Sequence, residues 1–293
     1  MAANIQHIVD RYLRSEASAS MVLMELVQHT EDTTTLARTL PSLTGDPAKL
    51  RALAQHLVDN EAGCRTIVAM IRQGLDSPEL ATDVEDGIER TRKLFDASVA
   101  QSEESSVALY SLGNPALLAA ATDEVISVLE EWRVLDVHRD ALEIGCGIGR
   151  LMAPLASRLR SIVGTDVSSG MISAAERRLA EYPNTRVHLT TGQNLAEFDS
   201  GSMDLVYCVD AFPYIVLSGT TLVERYFEEI HRVLRPGGDF VLFNYAYGRS
   251  RKDADDEVHA LARGVDLQVM RADESPFQIW NGIGWLMRRG GGR

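Results

Sequence analysis

Gly145, Gly147 and Gly149 occupy alternate positions in ALEIGCGIGR, with Glu143 two residues ahead of the first and an apolar run on either side. Three glycines in five residues free the backbone for unusual angles and let a ligand approach without Cβ atoms in the way. The spacing is G-x-G-x-G. The dinucleotide fingerprint runs G-x-G-x-x-G, and a P-loop ends in Gly-Lys-Ser/Thr, a tripeptide this chain lacks. Both phosphate-cradling readings therefore weaken. A second carboxylate, Asp166, closes the apolar run SIVGTDV. At the end of a strand it is placed to accept both hydroxyls of a ribose; the alternative is that it caps the helix starting at Ser168.

Those residues need a scaffold, and from about residue 105 short apolar runs alternate with helical patterns. NPALLAAATDEVISVLEEW reads as an amphipathic helix with Asn114 as cap and Pro115 at its first position. ALEIG, SIVGTDV, RVHLT, MDLVYCV and DFVLFNYAY read as strands. Helices through LMAPLASRL, MISAAERRLAEY and LVERYFEEIHRVL separate them, and the first, beginning near Arg150, would offer free N–H groups to a ligand. Such alternation implies a parallel sheet covered on both faces, with ligands beyond the carboxyl ends of the strands. A further helix over about 253–262 precedes DLQVMRA and FQIWNGIGWLMRR, which read as a hairpin around ADESP. The expected fold is α/β: a Rossmann-like, doubly wound, seven-stranded and mostly parallel sheet with a C-terminal antiparallel hairpin.

The N-terminal residues have a different texture. SMVLMELVQH, AKLRALAQHLVDN and CRTIVAMIRQGL repeat apolar residues at three- and four-residue spacing, with breakers at TLPSLTGDP and at Asp76-Ser77-Pro78. A helix over about 85–101 carries alternating charges and few apolar residues, and reads as a connector. These patterns divide the chain into an all-α domain, 1–104, serving as a cap or a dimerisation surface, and an α/β domain, 105–293.

Composition narrows the partners. The 293 residues carry 29 Lys and Arg against 42 Asp and Glu, a formal net charge of −13, which disfavours a nucleic-acid backbone. No apolar run approaches the roughly 20 residues of a membrane helix, and the first residues lack the apolar core of a secretory signal. Three widely spaced cysteines give neither a disulfide framework nor a zinc pattern, and suit a reducing cytoplasm. No histidine stands at metal-ligand spacing with another ligand, so no metal is expected.

Taken in order, the motifs resemble those of class I S-adenosylmethionine-dependent methyltransferases. ALEIGCGIGR is similar to their first motif and GTDVSSGMI to their second; TTGQNLAEF, MDLVYCVDAF and LRPGGDFVLF follow at the family's intervals. The resemblance spans about residues 105–293. It implies S-adenosyl-L-methionine as cofactor, with Gly145, Cys146, Gly147 and Gly149 passing under its methionine part and ribose and Glu143 bracing that loop. It assigns Asp166 to the ribose hydroxyls, Val167 and Met171 to the faces of the adenine, Gln193 and Asn194 to its edge, and Val209 and Asp210 to the sulfonium and amino-acid group. Two departures matter. Gln193 stands where many relatives carry Asp, so an amide oxygen must meet the adenine amino group. DAFPY replaces the Asn/Asp-Pro-Pro-Tyr signature of relatives that methylate exocyclic amines of bases or glutamine amides.

The chemistry implied is transfer of a methyl group to an oxygen or nitrogen of a small-molecule metabolite by in-line displacement. Tyr110, just before the Pro115 helix, is placed to close over the cofactor carboxylate or simply to pack. Tyr214, Tyr245 and Tyr247 lie after the fourth and fifth strands, where an acceptor enters; Tyr214 and Tyr247 are the candidates for catalysis. His231 sits inside a helix away from the strand ends and reads as structural. An alternative keeps the cofactor but not the turnover: a regulatory or scaffold protein acting through its helices. Where those helices form a dimerisation surface, the partner is a second copy of the chain, a homodimer sharing their apolar stripes. A nicotinamide-dependent oxidoreductase ranks last, because of the glycine spacing and the late hairpin.

Overall fold

The computed structural model of the chain describes residues 2–30, 32–74 and 81–291; the Asp76-Ser77-Pro78 breaker lies outside them. The fold comprises two compact units: Met1–Ser77, Ala97–Val125 and Phe277–Asn281 form the first, and Pro78–Asp96, Ile126–Pro276 and Gly282–Arg293 the second. The division is not one cut at 104/105, because one helix is divided at 96/97 and another at 125/126.

The first unit is helical. Its elements are α1 (Ala2–Leu13), α2 (Ala19–Gln28), α3 (Thr33–Thr39), α4 (Pro47–Asp59) and α5 (Glu61–Arg72). The C-terminal end of α6 (Val84–Gln101), the short α7 (Glu103–Val107) and the start of α8 (Pro115–Glu131) complete it. Side-chain caps begin several of these helices. Ser18 accepts from Met21 N, Asp46 from Ala48 N and Lys49 N, and Asn114 from Ala116 N, each satisfying donors that a helix start leaves open. The apolar stripes of α2, α4 and α5 meet in one core that includes Leu23, Leu26, Leu50, Leu53, Leu57 and Ile67. Each such side chain, fully buried, contributes about 1.5–3 kcal/mol.

The second unit carries the sheet. Its strands are β1 (Asp140–Ile144), β2 (Ser161–Asp166), β3 (Thr185–Leu189), β4 (Met203–Val209), β5 (Leu234–Phe243), β6 (Leu267–Glu274) and β7 (Gly284–Arg289). They lie in the order β3-β2-β1-β4-β5-β7-β6. β1 pairs in parallel with β2 and β4, β2 with β3 and β4 with β5, whereas β7 runs antiparallel to both β5 and β6. This is the seven-stranded, mostly parallel sheet expected, with its antiparallel end. The order reverses direction at β1, which puts the carboxyl ends of β1, β2 and β4 together.

Between the strands run α9 (Met152–Leu155), α10 (Ser169–Leu179), α11 (Phe212–Leu217), α12 (Thr220–Val233) and α13 (Arg251–Gly264). On α12 the residues Leu222, Val223, Tyr226, Phe227, Ile230 and Val233 form a buried stripe against Phe240 and Leu242 of β5. Three sequence expectations need correction. LMAPLASRL forms only one regular turn, with Pro154 within it and Leu155 N reaching Leu151 O. Its start lies within two residues of Arg150, near where the sequence places it. LRPGG belongs to β5, joined through an irregular register at Met203/Leu205, and NYAY lies beyond that strand's end. FQIWNGI is not strand; only Gly284–Arg289 pairs.

Candidate functional site

The glycine loop leaves β1 and is pinned to the neighbouring strand at once. Gly145 N and Cys146 N both donate to Thr165 O, at 2.8 and 2.9 Å. Gly145 takes φ +70°, the left-handed region, and a Cβ there would run into the Ala211 methyl. The glycine is thus required by backbone angle and by the close approach of the chain after β4. Cys146 is buried behind the loop.

Asp166 ends β2 beside this loop. Its Oδ2 accepts from Gly147 N at 3.0 Å and its Oδ1 from Ser168 N at 2.9 Å. The helix cap is Ser168 itself, whose Oγ accepts from Met171 N at 3.1 Å. Each Asp166 oxygen retains a second lone pair, so the carboxylate can still take two hydroxyl donors. Burial raises its pKa to about 6, opposed by those backbone donors.

Glu143 lies beneath the loop and accepts from the fully buried Tyr207 hydroxyl at 3.0 Å. Burial pushes its pKa up to about 8, opposed by the Tyr207 bond and by the Arg150 guanidinium. Asp210 follows β4 with φ +58°, and Asn244 follows β5 with φ +67°. Asp and Asn tolerate this region better than most residues. Asn244 Nδ2 donates to Asp210 Oδ1 at 2.6 Å, and Tyr247 OH donates to the same oxygen at 3.0 Å. Burial raises the Asp210 pKa too. The Asp166 and Asp210 carboxylates, at the ends of β2 and β4 beside the loop, disfavour a phosphate there.

The other expected residues divide. Val167 and Gln193 line a cleft of about 180 Å³ with Thr190 and Thr191. Met171 is buried at the start of α10, and Val209 is the buried last residue of β4. Asn194 caps a turn, its Oδ1 accepting from Ala196 N at 3.1 Å. Tyr214 and Tyr247 meet edge to face at 5.9 Å between ring centres, and Phe95 packs on Tyr214 at 4.8 Å. Tyr245 is instead turned into the core, stacked on Phe212. Tyr110 lies in the helical unit, where its ring stacks on Trp280.

The sequence reading missed one wall. Glu85, Ile88, Glu89 and Arg92 of α6 line the cleft opposite the strand ends. They recur at i, i+3, i+4 and i+7, so one face of the helix carries them. The signal was that spacing, but a charged stripe is equally what a solvated connector shows. Among the described residues, no helix is long and apolar enough to cross a membrane.

Comparison with known proteins agrees with the topology and loop geometry. The family profile described as methyltransferase domain matches residues 142–242. Phosphoethanolamine N-methyltransferase 2 of Caenorhabditis elegans is 26% identical over 151 residues, 51% of this chain and 33% of that protein. Demethylmenaquinone methyltransferase of Clavibacter sepedonicus is 28% identical over 158 residues, 52% of this chain and 57% of its own length. The structure of phosphoethanolamine N-methyltransferase 1 from Haemonchus contortus, solved with phosphoethanolamine and S-adenosylhomocysteine, superposes with a TM-score of 0.59 at 18% identity, covering 72% of this chain and 50% of that one. The chain thus spans between a third and just over half the length of these relatives. Residues 142–242, with their glycine loop, acidic second strand end and ordered motifs, form a methyltransferase domain of the class I S-adenosylmethionine-dependent family.

Proposed function

We propose that this chain transfers a methyl group from S-adenosylmethionine to an oxygen or nitrogen of a small-molecule acceptor. The observation that carries this reading is the Asp166 carboxylate, fixed by Gly147 N and Ser168 N beside the glycine loop with acceptor capacity to spare. When bound, the cofactor supplies a methyl group already activated on a sulfonium, for displacement in line with the departing sulfur. The protein then has mainly to align the partners and exclude water.

Asp166 would hold the ribose hydroxyls, while Gly145, Cys146, Gly147 and Gly149 pass beneath the ribose and methionine. Val167 and Met171 would flank the adenine, and Gln193 and Asn194 would meet its edge. Val209 and Asp210 would face the positive end, where a carboxylate opposes the cation's charge. Tyr214 and Tyr247 would orient the acceptor, and Tyr247 would take its proton only by passing its own phenolic proton to Asp210. Relatives named for phosphoethanolamine and demethylmenaquinone support a small acceptor. The three free, buried cysteines suit a cytoplasmic setting.

Incubation of the chain with methyl-labelled S-adenosylmethionine and a pooled metabolite extract tests turnover. Label is expected in small metabolites. Binding of the cofactor with no label transferred would favour the non-catalytic reading.

A further inference from the structure

Helix α6 does more than border the cleft. Gly87 on its inner face allows close packing: a Cβ there would lie 2.6 Å from Ser218 Cα. Ile88 and Val167 converge on one spot, since a Cβ on Gly192 would lie 2.7 Å from Val167 Cγ1 and 3.1 Å from Ile88 Cγ2. Together they form one apolar patch in the cleft wall. Further along the same face, Asp96 Oδ1 accepts from Ser168 Oγ at 2.6 Å and from Gly170 N at 3.0 Å. Arg92 holds the other Asp96 oxygen at 3.2 Å. Ser168 N in turn donates to Asp166. A continuous chain of hydrogen bonds therefore runs from Arg92 through Asp96 and Ser168 to the carboxylate placed for the ribose.

We propose that α6 completes the nucleoside pocket, with Ile88 extending the apolar surface of Val167 on which the base lies and Asp96 positioning Asp166 through Ser168. This rests on the cofactor reading above. A charged connector would need neither contact. The stripe matches an aminopurine nucleoside: an apolar patch for the ring face, and polar groups at Glu85, Glu89 and Gln193 around its edge. Glu85 and Glu89 also disfavour a phosphate at this end.

Calorimetry of the intact chain with S-adenosylhomocysteine tests it. Ile88→Ser is expected to weaken binding about tenfold, and Asp96→Ala about fivefold or more, with ligand-free melting near wild type. Asp96→Asn keeps an acceptor for Ser168 and Gly170, and should stay within about threefold of wild type. A purely structural role for Asp96 would move the melting temperature and not the affinity. Amide hydrogen exchange of wild-type residues 84–96 gives a readout free of substitution, and is expected to slow when S-adenosylhomocysteine is added. If Ile88→Ser and Asp96→Ala both bind within about twofold of wild type and exchange over 84–96 is unchanged, while Asp166→Ala loses affinity, the pocket stands and α6 is not part of it. Failure of the wild type to bind, or an unchanged Asp166→Ala, overturns the cofactor reading and this proposal with it.

Discussion

Tyr247 donates its phenolic hydrogen to Asp210 Oδ1 at 3.0 Å, and this bond joins the loop after β5 to the residue that follows β4. Asn244 donates to the same oxygen at 2.6 Å. The carboxylate is thus held by two neutral donors, while its backbone stands at φ +58°. Such a conformation persists where the surroundings fix it, and clusters at functional sites. Tyr214 packs alongside with Phe95, and under the proposed function this pair would stand where a methyl acceptor meets the cofactor.

Tyr247→Phe separates two roles for that ring. It keeps the aromatic wall and removes the hydroxyl on Asp210. If the phenol orients the acceptor or relays its proton to Asp210, kcat is expected to fall about 10- to 100-fold with little change in KM. Steady-state kinetics on the acceptor identified by the labelling experiment measure both. An unchanged kcat would mean the ring only lines the pocket.

Glu143 makes stability depend on pH. Its pKa is raised from 4.5 to about 8, chiefly by burial, so folding disfavours its charged form. The associated stability is fully present below the unfolded value and is lost as pH rises from about 4.5 toward 8. Glu143→Gln keeps an acceptor for Tyr207 OH and cannot ionise. Its melting temperature relative to wild type should therefore climb between pH 5 and pH 8, by a scan at about half-unit steps. A constant difference across that range would contradict the buried-carboxylate account.

Gly145→Ala meets two obstacles, the φ of +70° and the Ala211 methyl. Together they should destabilise the fold by about 2–4 kcal/mol, measured by urea unfolding. A variant as stable as wild type would show that the turn relaxes without cost.

What the sequence made legible follows from how local each signal is. The strand, glycine turn and Asp166 are encoded within some 25 consecutive residues, and the mostly parallel sheet with its antiparallel end follows from the alternation of apolar runs, helical patterns and breakers. Tyr245 and Tyr247 differ by two positions and face opposite ways, one into the core and one onto Asp210, because the chain leaves the strand at Asn244. Period-two alternation has no hold once the strand ends. The stripe on α6 was hidden for a further reason. Glu89, Arg92 and Asp96 pair with one another or with Lys93 at helical spacing, as on any solvated helix, and only the fold brings Asp96 to Ser168, 72 residues away.

The central claim is that Asp166 and the glycine loop bind a sulfonium nucleoside, and calorimetric titration of wild type and Asp166→Ala with S-adenosylhomocysteine tests it most directly. The account predicts saturable one-to-one binding to wild type and a loss of about tenfold or more in Asp166→Ala, the scale of two lost hydrogen bonds to a charged acceptor. No binding to folded wild type, or equal affinity in the variant, would contradict it.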